Sequence, residues 1–207
     1  MNKYLTQNGS NGWISPITLI GNYVRLEPIS MQHCADLKEA TQDGDLWKIW
    51  YVRVPSPDDI EGLITQRIAL QNSGEMFTFA VIDNKNNKAV GMTSYFKIIS
   101  SNKRLDIGYT WYRQSVQRTP INTETKLLLL DHAFRVLGAI AVGFGANWFN
   151  IKSRKAIERL GAKLDGVLRN HMILPNGVIA DYCLYSITQD EWPAVNIHLK
   201  AKLQGDY

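Results

Sequence analysis

Between Ile107 and Leu130 the chain alternates apolar and polar residues, passes through the turn Gln117-Arg118-Thr119-Pro120-Ile121-Asn122, and enters an apolar-periodic stretch. A strand, a polar turn and a helix start in that order leave backbone N–H groups without an intrahelical acceptor, at the positive end of the helix dipole. The chemistry open to such a segment is anion binding. It points to a phosphate-bearing cofactor.

Other residue types that could do chemistry are scattered. Cys34 and Cys183 lie far apart and match no C-x-x-C spacing, so two reduced thiols are expected rather than a bridge. The four histidines do not group with Cys, Asp or Glu at metal-ligand spacing, and no metal is expected. His171, on a late strand, is either a structural residue, part of the cleft wall on the acceptor side, or an alternative base, a role open to an imidazole. The irregular stretch from Asp45 to Pro57 carries Trp47, Trp50 and Tyr51, which form either a lid on the core or one wall of a substrate cleft. A net charge of +4 and a pI near 9.0 permit anionic ligands. Lys and Arg are nevertheless dispersed, with no basic stripe beside the tryptophans, which argues against nucleic acid as a partner.

The elements that position these residues follow from periodicity and turn chemistry. With 207 residues, 45% of them hydrophobic and 20% charged, one well-cored domain is expected. Tyr23 to Glu27 alternates like a strand, and Ser30 caps a helix through Leu37 and Ala40. A second helix starts at Pro57-Asp58-Asp59 and stops at Gly74. Met76 to Ile82 and Ala89 to Ile98 form a hairpin around Asp83 to Asn87, and Leu105 to Tyr112 is a third strand. A helix over 122–137, a strand over 139–146 and a helix over 150–160 follow, and the hairpin of Val167 to Leu174 and Ile179 to Ile187 closes the set. The order is β-α-α-β-β-β-α-β-α-β-β. No opening apolar run suits a signal peptide and none nears the ~18 residues of a membrane span. A cytoplasmic protein is expected, monomeric or a homodimer through an open strand edge.

This order, with Ile17 to Leu26, Asp106-Ile107-Gly108-Tyr109-Thr110-Trp111, Asn122 to Lys126, Asn150 to Arg154, Glu158 to Ala162 and Gly166 to Arg169, resembles the GCN5-related N-acetyltransferase (GNAT) superfamily in its RimJ/RimL-like branch. The resemblance runs from Tyr23 to Trp192. It implies a single α/β (α+β) domain over 21–192, with an N-terminal extension over 1–20 and a C-terminal tail over 193–207. Its mixed central sheet would have about six to seven strands flanked by about four helices. It also implies acetyl transfer from acetyl-CoA to a primary amine, either a protein N-terminus or a small amine.

By the same resemblance acetyl-CoA lies in a split between the strand ending at Tyr112 and that at Val142 to Ala146. The pantetheine arm pairs with backbone at Trp111 and Tyr112, and the pyrophosphate rests on Gln117, Arg118, Thr119, Pro120, Ile121, Asn122 and Thr123. One departure stands out. The pyrophosphate signature reads Q/R-x-x-G-x-G/A, and Pro120 replaces its glycine, which removes one N–H and is expected to weaken binding without abolishing it. Asp106 is the candidate base, in a place where the branch usually has glutamate; equally it is a strand carboxylate bonded to backbone or to Arg104. Ile157 stands where the superfamily often has an acidic tyrosine. Ser153 is then the candidate donor to the thiol and Asn150 the residue holding the pantetheine or the Ser153 hydroxyl, although the two also have the spacing of an ordinary N-cap. Trp47, Tyr51 and His171 are the candidate acceptor-binding residues. The competing reading is a degenerate member that binds acyl-CoA or a partner without turnover.

Overall fold

The computed structural model describes residues 12–52 and 54–205. Eight strands form one sheet: β1 Leu19–Ile20, β2 Val24–Pro28, β3 Met76–Asp83, β4 Lys88–Ile99, β5 Arg104–Tyr112, β6 Ala141–Asn147, β7 Lys163–Ile173 and β8 Ile179–Thr188. Their spatial order is β1-β2-β3-β4-β5-β6-β8-β7. Every neighbouring pair is antiparallel except β5 with β6. The helices are α1 Cys34–Gln42, α2 Ile60–Asn72, α3 Pro120–Asp131, α4 Ile151–Glu158 and α5 Trp192–Gln204. The mixed α/β architecture is the expected one, with β1 and α5 beyond the expected count.

Each sheet face carries its own core. Leu37, Ala40, Ile60 and Ile64 from α1 and α2 pack with Met92 and Trp111 on one side. Leu129 and Leu130 of α3, Ile157 of α4 and Leu199 of α5 pack with Tyr95 and Tyr185 on the other. Alternation along the strands sends successive side chains into these two cores.

Two segments that read as peripheral in sequence are packed. Trp192 stacks on Phe134 with ring centroids 5.3 Å apart, and Val195 and Leu199, one helical turn apart, are buried, so residues 193–204 of the expected tail belong to helix α5. At the other end, Ile14 is buried and Trp13 Nε1 donates to the Leu137 carbonyl at 2.7 Å. Residues 1–11 of the expected extension lie outside the described residues.

Helix α3 starts at Pro120, two residues before the expected Asn122. Thr119 is its N-cap, its hydroxyl accepting from Ile121 N–H at 3.4 Å, and proline takes the first helical position, where its missing N–H costs no intrahelical bond. The expected run to 137 ends as a π-helical turn over His132–Val136. The Leu129 carbonyl there accepts the buried Tyr95 hydroxyl at 2.6 Å, so the helix widens where a side chain competes for its ladder.

Candidate active site

Strands β5 and β6 pair in parallel at three positions only, Arg104↔Ala141, Leu105↔Val142 and Asp106↔Gly143. Beyond them β5 runs on to Tyr112 and β6 to Asn147 with no ladder between, which opens a V-shaped split. A bulge turns β5 at that level. The β4–β5 register shifts between Met92 and Ser94, and Tyr109 takes a φ of +52°. An extra residue on one strand bends it and increases its twist. Because β5 and β6 run the same way, their C-terminal ends lie on one side of the sheet, and α3 and α4 start shortly after each.

The turn before α3 is exposed from Gln117 to Pro120. Gln117 Nε2 donates to the Tyr112 carbonyl at 3.3 Å, tying the turn to the end of β5, and Arg118 has a φ of +63°. Thr119 donates to the Val116 carbonyl at 2.6 Å. Pro120 contributes no donor and Ile121 N–H is engaged by Thr119. The first-turn N–H of half-buried Asn122 is left by its position without an intrahelical acceptor, as an anion site requires. Thr123 is buried, with Arg159 Nη2 at 3.4 Å from its hydroxyl. The side chains of Trp111 and Tyr112 are buried in opposite cores, which leaves their backbone as the part available at the split.

At the vertex, the Asp106 carboxylate occupies the space over Gly143 that a side chain there would need. Its charged partner is Lys97, with Nζ at 3.3 Å, in place of the expected Arg104. Asp106, Lys97, Arg104, Asp165 and Leu184 line a pocket of about 230 Å³ on that face. Nearby, Arg67 of α2 lies over the Tyr109 ring at 4.5 Å and donates to the Met76 sulfur at 3.0 Å. Only 8% of Arg67 is exposed, it has no carboxylate partner among the described residues, and burial lowers its pKa.

Asn150 caps α4, its Oδ1 accepting from Ser153 N–H at 3.0 Å. The capping alternative read from sequence is therefore present, and half-buried Ser153 sits in the first turn of α4. Ile157 is a core residue. Arg154 lies over the Trp148 ring at 4.3 Å and donates to the Tyr185 hydroxyl at 3.1 Å, which donates in turn to Glu158 at 2.9 Å.

Of the aromatic loop, Trp47 is exposed under Lys48, while Tyr51 is half-buried against Trp50, with ring centroids 5.3 Å apart. Trp50 contacts Phe149 of the β6–α4 loop at 5.7 Å, so it is Trp50 and Phe149 that join the two loops. Exposed His171 packs 5.5 Å from Tyr182, whose ring lies over Gly145 of β6. Sequence reasoning leaves out Phe149, Arg67 and Lys126, and it places Trp50 in the aromatic loop without making it a candidate acceptor-binding residue. Helical phase holds a signal for Lys126, which shares a face with Thr123, Leu129 and Leu130 and is buried with them.

Glu124 and Lys126, given no chemical part in the sequence reading, are both buried. Glu124 accepts from the N–H groups of Asn22, Tyr23 and Val24 at 2.8, 2.6 and 2.8 Å, and so pins the β1–β2 turn. Lys126 Nζ donates to Thr110 and Thr93, and burial draws its pKa down to about 7.

A family model for the acetyltransferase (GNAT) domain matches residues 24–163, and the chain belongs to that family. No curated protein matches it in sequence. Among solved structures, a GCN5-related N-acetyltransferase from Brucella melitensis is 28% identical with a TM-score of 0.83, covering 92% of this chain and 86% of its own. A protein from T. thermophilus assigned as an acetyltransferase is 30% identical with a TM-score of 0.80, over 92% of this chain and 99% of its own. Mycobacterium smegmatis RimJ in complex with CoA-disulfide is 19% identical with a TM-score of 0.77, over 90% and 95% of the two chains, a likeness of fold. No described helix is long and apolar enough to cross a membrane.

Proposed function

We propose that the protein is a RimJ/RimL-like N-acetyltransferase of the cytoplasm, moving an acetyl group from acetyl-CoA to a primary amine on a protein N-terminus or a small molecule. The observation that carries this reading is the parallel β5–β6 ladder that ends at Asp106 and Gly143 and opens toward the starts of α3 and α4. The unpaired inner edges of the split suit an extended pantetheine amide chain, as an added strand would pair. The helix start at Thr119 to Thr123 suits the pyrophosphate, with Gln117 and Arg118 beside it. The CoA-bound state of the RimJ neighbour supports the same assignment.

Acetyl-CoA supplies an activated acyl group as a thioester. Within this reading Asp106 removes the acceptor's ammonium proton, directly or through a water, from the vertex of the split. Ser153 and Asn150, at the start of α4, face the thiol and the pantetheine. Trp47, Tyr51 and His171 line the acceptor side, joined by Trp50 and Phe149. Glu124 holds the β1–β2 turn and takes no chemical part.

A second reading, binding of acyl-CoA without turnover, is favoured by Pro120 in place of the motif glycine and by the buried Ile157. Calorimetric titration with acetyl-CoA and with CoA, for the native protein and Pro120→Gly, tests the assignment, and thiol release with an amine panel separates the two readings. Saturable binding that tightens in Pro120→Gly, with acceptor-dependent thiol release, is expected. Binding without release to any amine would leave the second reading, and no binding at millimolar ligand would end both.

A further inference from the structure

Lys126 reaches from α3 to the sheet and is 6% exposed. Its Nζ lies 2.7 Å from the Thr110 hydroxyl and 3.1 Å from that of Thr93, and the two hydroxyls are 2.7 Å apart. An ammonium carries three protons, and the hydroxyls take two. Among the described residues no carboxylate pairs with it, so the charge is buried uncompensated, a costly state unless the group can shed a proton. Thr110 stands at the β5 bulge, on the stretch that has left β6 and borders the split.

Acyl transfer from a thioester needs a proton for the departing sulfur. A serine hydroxyl such as that of Ser153 relays a proton at neutral pH but does not store one, and Ile157 offers no phenol. A group that holds a proton and releases it within reach of the split is required.

We infer that Lys126, acting through the Thr110 hydroxyl with Thr93 fixing both, is the proton store that serves the sulfur of CoA. The inference rests on the acetyltransferase reading. As the acceptor nitrogen bonds to the acyl carbon and the C–S bond breaks, sulfur keeps the electron pair and takes the Thr110 hydroxyl proton. Thr110 regains a proton from the Lys126 ammonium, which becomes a neutral amine. The acceptor ammonium has given up two protons by the end of the reaction, one restoring Lys126 and one released to solvent, so the balance closes.

Desolvation is the sole cause of the lowered Lys126 pKa, which places the group ready to give and take a proton near neutrality. The titratable side chains on the elements around it are engaged elsewhere or kept uncharged by burial. Tyr95 of β4 donates to the Leu129 carbonyl, Glu124 of α3 holds the β1–β2 turn, and Arg159 after α4 reaches Thr123. Tyr112 of β5 is held protonated by burial, and burial favours neutral His132 in the π-turn.

The test is the thiol titration of bound CoA, followed by thiolate absorbance against a desulfo-CoA reference, for the native protein, Lys126→Met and the near-isosteric Thr110→Val. A cation relayed to the sulfur stabilises its thiolate. Near pH 7, where Lys126 still holds its proton about half the time, the thiolate fraction of bound CoA is therefore expected to be roughly tenfold higher in the native protein than in either variant, and the apparent thiol pKa to be lower. Equal thiol pKa values in the native protein and Thr110→Val, with CoA bound to both, would overturn the inference and leave the acetyltransferase reading standing. Failure of the native protein to bind CoA would overturn both. Thr110→Val keeps the test decisive if Lys126→Met fails to fold.

Discussion

The carboxylate of Asp106 lies over Gly143, filling the space that a side chain at 143 would take, at the last paired position before β5 and β6 part. The candidate base and the vertex of the split are thus one structural unit. Asp106→Asn is expected to lower acetyl transfer by about 10²-fold or more, the range of a lost general base, with CoA affinity unchanged. Gly143→Ala is expected to lower it too, by displacing the carboxylate. Steady-state rates beside a CoA titration check both.

Glu124 accepts three backbone N–H groups from the β1–β2 turn and is buried. Glu124→Gln turns an NH₂ toward those donors and leaves buried groups unsatisfied. A loss of about 2–3 kcal/mol in unfolding free energy is expected, read by urea denaturation.

Asn150 caps α4 through Ser153 N–H. Asn150→Ala is expected to cost about 1 kcal/mol, and Asn150→Asp, which keeps an accepting oxygen, to restore most of it. If CoA affinity stays low in Asn150→Asp while stability returns, the carboxamide also serves the pantetheine. Thermal melts and CoA titration on the two variants separate these effects.

Burial lowers the Lys126 pKa from 10.5 to about 7, so between those values the unfolded chain binds more protons than the folded one. Stability contributed by this group therefore rises from pH 7 to pH 10.5, and its full cost applies below pH 7. Lys126→Met is expected to flatten that rise, and the difference between variant and native unfolding curves across the window measures it.

Trp50 and Phe149 join the α1–α2 loop to the β6–α4 loop. Trp50→Ala is expected to raise the acceptor KM several-fold, from about 1 kcal/mol of lost aromatic contact, with CoA affinity unchanged. A double-mutant cycle with Phe149→Ala checks that the two act as a pair.

Most elements are legible from local pattern, because alternation, helical phase and turn residues act within a few residues of the chain. The β3–β4 hairpin around Asp83 to Asn87 and the helix stop at Gly74 are of this kind. The start of α3 lies two residues from its expected place because Pro120, a lost phosphate donor in the motif, is also well suited to the first helical turn. Helix α5 reads as a tail in sequence because its burial depends on Phe134, 58 positions earlier in the chain.

The site divides in the same way. The turn from Gln117 to Asn122, the cap at Asn150 and the place of Asp106 on its strand follow from neighbours in sequence, since a helix start or a strand face is a local property. Three features depend on contacts that no local pattern encodes: the ladder length of three pairs between β5 and β6, the meeting of Trp50 with Phe149, and the enclosure of Lys126 by Thr93 and Thr110. Burial, and with it the protonation of Lys126, is set by what the tertiary fold places on the far side of the side chain.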